Sequence, residues 1–130
     1  MSVVKTEAIS NVAGTKEADT GDLIDGRCTA WVNYNGIANT VRDSFNVSSV
    51  TDNTTGDYTI NFANAMSDTN YVLTSSARFS ETGGGTETLQ VSVYRASEAI
   101  KTTSLRIVVN NVTDLYDSLN VFAVIFGGKD

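Results

Sequence analysis

Apolar residues recur along this chain in short alternating runs, separated by clusters of Gly, Asn, Asp and Ser. Alternation with a period of two is typical of a β-strand with one buried face, and the polar clusters are typical of turns. The runs cover residues 29–34, 45–50, 58–62, 71–79, 89–93, 105–109 and 121–126. The pattern therefore predicts an all-β chain, an antiparallel β-sandwich (jelly-roll or Ig-like) of about seven strands.

The segment between the second and third runs, 51–57, reads Thr-Asp-Asn-Thr-Thr-Gly-Asp. Gly56 is suited to a positive φ and the Asx residues to capping a bend, so we expect a hairpin with a loop of about five or six residues. Asp52, Asn53 and Asp57 also carry oxygen atoms of the kind that bind Ca²⁺. Their spacing differs from the helix–loop–helix calcium pattern, and turn formation accounts for them, so no metal site is predicted.

The first 27 residues differ from the rest because they show no sustained period. We expect an N-terminal arm over 1–27, followed by the sandwich domain over 28–130. The arm is either a frayed terminus or an anchor that becomes ordered on a partner, with Val3, Val4 and Ile9 supplying apolar contacts. No signal peptide or membrane-spanning run is visible, so synthesis in a cytosol without membrane insertion is expected.

The amino-acid composition excludes several kinds of catalytic and metal-binding site. The 130 residues include 9 basic and 15 acidic side chains, no His and one Cys, with a net charge of −6. Without His the usual nucleophilic relays and His-ligated metal sites are absent, and one Cys cannot form a thiolate-rich metal site. The acidic balance also argues against a nucleic-acid partner. We therefore expect no catalytic residue, no cofactor and no metal, which means a protein that is not an enzyme.

Three polar loops are candidate binding sites because binding residues concentrate on loops that a rigid scaffold supports. They are residues 35–39, 80–87 and 110–117, and their candidate ligand contacts are Tyr34, Asn35, Glu81, Glu87, Asp114, Tyr116 and Asp117. An aromatic ring beside carboxylates suits a sugar ligand, although the ring can equally pack against a neighbour. Two glutamates around a triple glycine do not form a glycosidase pair, because that pair needs rigid supports.

Three segments together resemble a module at the C-terminal ends of tail-fibre and related structural proteins of marine and cyanobacterial bacteriophages. They are 28–36 (Cys-Thr-Ala-Trp-Val-Asn-Tyr-Asn-Gly), 42–62 around Phe-Asn-Val-Ser-Ser-Val-Thr-Asp, and 65–71 (Ala-Met-Ser-Asp-Thr-Asn-Tyr). The resemblance spans residues 28 to 127. It implies core or subunit-interface aromatics and turn glycines at Trp31, Phe45, Tyr58, Phe62, Tyr71, Gly36 and Gly56.

The same resemblance implies a virion surface protein, assembled in the host cytoplasm and commonly trimeric. We expect a tail-fibre or fibre-tip knob protein that contributes to host attachment by multivalent binding to a surface glycan or receptor. Its other expected partners are the capsid, tail or fibre proteins of the particle. The alternative is a capsid- or tail-decorating cement protein that docks through its N-terminal arm. In long fibres the module follows a long shaft, whereas only 27 residues precede it here.

Overall fold

A computed structural model of the chain describes residues 26–79, 88–97 and 99–128, together with the backbone of residues 8–10 and 17–19. Within these residues no helix is long and apolar enough to cross a membrane. The strands are β1 (Ala8–Ser10), β2 (Glu17–Asp19), β3 (Cys28–Asn35), β4 (Thr40–Phe45), β5 (Val47–Thr54), β6 (Asp57–Phe62), β7 (Tyr71–Arg78), β8 (Gln90–Val93), β9 (Ser104–Asn110) and β10 (Asn120–Gly127).

Eight of these strands form two four-stranded antiparallel sheets. The first sheet has the order β4-β3-β10-β7 and the second has the order β5-β6-β9-β8. The short strands β1 and β2 pair with each other as a separate two-stranded sheet. The predicted all-β antiparallel sandwich is confirmed, with eight strands in the two large sheets instead of about seven.

The core lies between the sheets and is filled mainly by alternate residues of their four central strands. The alternation read from the sequence is therefore the alternation of buried and outward positions. The fully or nearly buried side chains on these strands are Ala30, Val32, Tyr34, Tyr58, Ile60, Phe62, Leu105, Ile107, Val109, Val121, Ala123 and Ile125. A hydrophobic side chain buried in this way contributes about 1.5–3 kcal/mol to folding.

The prediction of one strand over residues 45–50 is wrong, because Asn46 divides it. β4 ends at Phe45, β5 begins at Val47, and the two strands belong to different sheets. Asn46 has a φ of 53°, a left-handed conformation that Asn tolerates better than most residues. Its Oδ1 accepts the backbone N–H of Asn64 at 2.8 Å, and its Nδ2 donates to the Thr29 carbonyl at 3.1 Å. Asn46 is therefore the corner at which the chain changes sheets.

The predicted loop of about five or six residues between β5 and β6 is also too long. Thr54 and Asp57 are register partners, which leaves Thr55 and Gly56 as a two-residue turn. The predicted positive φ of Gly56 is confirmed at 64°. β5 extends through residues 51–54, which the sequence assigned to the loop. These side chains can be polar because β5 is an edge strand and its last four side chains are all exposed.

The aromatic residues singled out by the phage resemblance divide between two environments. Tyr58 and Phe62 are core residues, and Tyr71 is half-buried against them. Trp31 and Phe45 pair across β3 and β4 with side chains on the outer face of the first sheet.

Candidate functional site

One end of the sandwich gathers the β3–β4 loop, the β5–β6 turn and the segment between β9 and β10. The Gly36 amide donates to the Ser118 carbonyl at 2.8 Å. Oδ1 of Asp117 accepts the Gly56 amide at 2.8 Å and the Tyr58 hydroxyl at 2.6 Å. These hydrogen bonds join the three segments, so Asp117 acts inside the structure as an anchor for this end.

Tyr34 belongs to the core, with 2% of its surface exposed. Its hydroxyl donates to Oδ1 of Asn39, and its ring meets the Tyr58 ring edge to face at 5.0 Å between centroids. Burial, followed by the charges of nearby aspartates, raises the pKa of Tyr34 to about 12. The Asn35 side chain accepts the amides of Ile37 and Ala38 at 3.1 Å each. Both side chains form hydrogen bonds within the fold, and burial leaves the Tyr34 side chain inaccessible to a ligand.

Residues 111–115 form a compact loop at the end of β9. Oδ1 of Asn111 accepts the amides of Thr113 and Asp114 at 2.9 and 2.8 Å, and the Asp114 carbonyl accepts the Asn111 amide at 3.0 Å. Val112 at the tip is 97% exposed. The loop is thus held in shape by its own side chains while it presents an apolar tip to solvent.

Tyr116 stabilises this loop through two hydrogen bonds and a ring contact. Its amide donates to the Val109 carbonyl at 2.9 Å, and its hydroxyl accepts Nδ2 of Asn111 at 3.2 Å. Its ring meets Phe79 edge to face, with centroids 5.4 Å apart. Of the two readings that the sequence left open for this ring, the structure shows packing against a neighbour.

A groove of about 730 Å³ lies between the 111–115 loop and the outer side of β8 and β9. Its apolar lining includes Val108, Val112 and Leu115. Its polar lining includes Ser92, Arg95, Asn110 and Asp114, and Tyr94 adds an aromatic ring. We take this groove as the candidate functional site, and it contains Asp114 among the residues singled out from the sequence.

The ring of Tyr94 is held by a charged network on the second sheet. The Cζ atom of Arg106 lies 3.9 Å from the Tyr94 ring centroid. The same guanidinium donates to both carboxylate oxygens of Asp57, Nε at 2.8 Å and Nη2 at 2.6 Å. Asp57 is only 3% exposed, and the hydrogen bonds from Arg106 hold the pKa of its carboxyl below the ordinary value. Nδ2 of Asn53 donates to the same carboxylate at 3.1 Å.

Sequence reasoning missed Tyr94, Arg95, Val112 and Leu115. Tyr94 directly follows the alternating run of Leu89, Val91 and Val93, so the sequence marks it as the end of a strand. Its proximity to Arg106 depends on the pairing of β8 with β9, in which the Tyr94 amide donates to the Arg106 carbonyl at 2.9 Å. That pairing is not written in the periodicity of either strand.

Several residues singled out from the sequence are not among those whose side chains the structure describes. Glu81 and Glu87 lie outside the described residues, as do Val3 and Val4 of the arm. Ile9 lies in β1, of which only the backbone is described.

The chemistry of the groove suits reversible binding. Among the described residues, no group of three or more His, Cys, Asp or Glu is placed to hold a metal ion. An aromatic ring, a guanidinium, an amide and a carboxylate line the groove together with apolar side chains, which is the composition of a site that orients a ligand through a few polar contacts. No family model, curated protein or solved structure matches this chain.

Proposed function

We propose that this chain is a bacteriophage virion surface protein that contributes to host-cell attachment, and that its groove binds a glycan of the host surface. The observation that carries the proposal is the groove itself, an open surface in which Tyr94 and Arg95 stand opposite the loop 111–115. The resemblance of residues 28–127 to phage tail-fibre modules supports the virion setting.

A glycan fits the groove better than an apolar small molecule does. Sugar rings present C–H faces that pack on an aromatic ring such as Tyr94, and hydroxyl groups that hydrogen-bond to Arg95, Asn110 and Asp114. The exposed apolar side chains of Val112 and Leu115 cover the less polar parts of the same ligand. Because internal hydrogen bonds already shape the loop, ordering it on binding costs little conformational entropy.

Attachment then depends on the number of groove copies on the particle. A shallow groove gives weak single contacts, and several copies on one assembly raise the effective concentration of each after the first has bound. The homotrimer that the phage resemblance implies would supply such copies, and repetition over the virion would multiply them.

The test uses the full chain displayed on beads and an array of bacterial surface polysaccharides that includes cyanobacterial samples. We expect retention by at least one polysaccharide. Tyr94→Ala should weaken it by about tenfold or more, and Asp114→Ala should weaken it several-fold. The control is Asp52→Ala, which removes an exposed aspartate from β5, the edge of the second sheet that lies opposite the groove.

Retention that is equal for the three variants and the unaltered chain would contradict the proposal. So would the absence of any polysaccharide binding. If the beads instead retained purified capsids or tails, and did so only when residues 1–27 were present, the result would favour the decorating protein.

A further inference from the structure

The outward faces of the two sheets differ in polarity. The second sheet presents polar side chains along β5, β6 and β9, and these hydrogen-bond to one another. Nδ2 of Asn61 donates to Oγ of Ser49 at 3.1 Å and to Oγ1 of Thr51 at 3.0 Å. Nδ2 of Asn53 donates to Oγ1 of Thr59 at 2.9 Å. Such a face is stable in water without a partner.

The outer face of the first sheet carries polar side chains at Asn33, Thr74 and Ser76, but large apolar side chains predominate on it. Phe45, Trp31 and Val124 are register partners across β4, β3 and β10, so their side chains form one row. Further apolar side chains project from β10 and β7 on either side of that row. We call the whole set the aromatic face; it comprises Trp31, Phe45, Val72, Phe122, Val124 and Phe126.

Much of the aromatic face is open to solvent. Val72 is 65% exposed, Phe45 54% and Phe122 38%, and the other three side chains are half-buried. A contiguous apolar patch is uncommon on a soluble monomer and marks an interaction surface when it occurs.

We propose that the aromatic face packs against the same face of other copies of this chain. Charged residues at its margins suit that partner, because Asp43 lies on the edge strand β4 and Arg78 lies on the opposite edge strand β7. Arg42, also on β4, donates to the Leu119 carbonyl of its own chain at 2.8 Å. A rotation axis parallel to the strands brings the β4 edge of one copy beside the β7 edge of the next. Asp43 of one copy then lies one row of side chains, about 7 Å along the strands, from Arg78 of the next, a distance that an arginine side chain spans in a dimer and in a trimer alike.

The size of the face is sufficient for specific association. The whole sheet, with strands of six to eight residues, is about 19 Å wide and about 25 Å long, which gives about 500 Å² of projected area on each copy. Protruding side chains raise the accessible area above this figure. Two such faces therefore reach the roughly 1,000 Å² total at which specific interfaces begin.

A lipid surface is a poorer partner for the same face. The chain has a net charge of −6, so an anionic membrane repels it. The groove lies on the second sheet, so copies that meet through the first sheet keep their grooves facing outward. Assembly through this face rests on the oligomer included in the proposed function, but it does not depend on what the groove binds, so a failure of groove binding and a failure of assembly are distinguishable.

The experiment measures the mass of the full chain by light scattering from about 1 to about 100 μM, the concentration range in which an association of micromolar affinity becomes populated. Trp31, the only tryptophan, gives a second signal from the face itself. We expect more than one copy per particle at the upper end of the range. We also expect the quenching of Trp31 by acrylamide to fall as the chain assembles.

Val72→Lys and Phe45→Lys should each return the particle to a monomer, because both place a charge inside the proposed contact. Ile37→Lys is the matched control, since Ile37 is 59% exposed and lies in the β3–β4 loop away from the face. Circular dichroism verifies that each variant is folded.

Other outcomes contradict the inference. A wild-type monomer at every concentration would overturn it, as would an oligomer that survives both substitutions. Unassembled chain that binds phosphatidylcholine vesicles through Trp31 would show that the face meets lipid. The pairing of edges has its own test, in which Asp43→Arg weakens assembly and the added change Arg78→Asp restores it; a double variant no better than the single one would exclude the proposed axis.

Discussion

The Tyr58 hydroxyl donates a 2.6 Å hydrogen bond to Oδ1 of Asp117, across 59 positions of sequence. Tyr58 is fully buried, so its hydroxyl has no access to water and depends on this acceptor. Burial and the hydrogen bond to Asp117 both raise the pKa of Tyr58, which keeps the phenol protonated as the donor. From the sequence alone Asp117 is a candidate ligand contact, and in the structure it supports the end of the sandwich that carries the groove loop.

Asp117→Ala should lower the free energy of unfolding by about 1.5–3 kcal/mol, because it leaves the Tyr58 hydroxyl and the Gly56 amide without their charged acceptor. Asp117→Asn keeps an acceptor oxygen and should cost less. Urea denaturation measures both effects. Asp114→Ala is the control, since Asp114 is exposed. Equal stability of Asp117→Ala and the unaltered chain would contradict the supporting role.

Gly36 and Tyr58 should show energetic coupling. A Cβ at position 36 would overlap the Tyr58 hydroxyl and lie 3.1 Å from the Ser118 amide nitrogen. Gly36→Ala should therefore destabilise the fold by about 1–3 kcal/mol through overpacking. Tyr58→Phe removes the overlapping atom, so the double variant should lose less stability than the two single losses added together. A double-mutant cycle measured in urea gives the coupling, and simple additivity would contradict the close contact.

The corner at Asn46 predicts a graded series. Asn46→Ala loses the hydrogen bonds to Asn64 and Thr29. It also keeps a Cβ at a positive φ, and this backbone conformation alone costs an alanine about 1–2 kcal/mol. Asn46→Gly loses the same hydrogen bonds but relieves the backbone. Thermal unfolding should therefore rank the chains as wild type, then glycine, then alanine. If the glycine variant were no more stable than the alanine variant, the positive φ at position 46 would not account for the loss of stability in Asn46→Ala.

Acid should reveal the ion pair beneath Tyr94. The hydrogen bonds from Arg106 lower the pKa of the folded Asp57 carboxyl below its ordinary value near 3.8. The stabilisation is therefore complete above that ordinary value and is lost as pH falls through the lowered one. The melting temperature of wild type should exceed that of Asp57→Asn at pH 6, with the difference shrinking below about pH 4. Asp43→Asn controls for the loss of one charge, and a difference independent of pH would contradict the ion pair.

The sequence was informative where burial repeats along a strand. The alternation around Tyr58, Ile60 and Phe62 marks a central strand whose inner face fills the core, and the structure has it there. β4 escaped detection because nearly all its side chains are exposed on an edge strand, so no alternation records it. The break at Asn46 escaped because a single residue in a left-handed conformation leaves no pattern.

The groove was harder to foresee, for a reason of topology. Tyr94 and Asp114 come from different strand ends, and only the pairing of β8 with β9 places them around one groove. The loop 110–117 could be recognised from its polar residues, but which of them shape the loop and which face the groove could not. Asn111 and Tyr116 shape the loop, Asp117 anchors it, and Val112 with Asp114 faces the groove.

The central claim, that the groove binds a glycan, is tested most directly by amide NMR of the full chain during titration with a polysaccharide released from host cells. We expect progressive shifts at Tyr94, Arg95 and residues 110–115, and none at Asp43 or Val72 on the opposite sheet. These shifts should disappear in Tyr94→Ala. Shifts confined to other surfaces, or a spectrum unchanged at saturating polysaccharide, would contradict glycan binding by the groove.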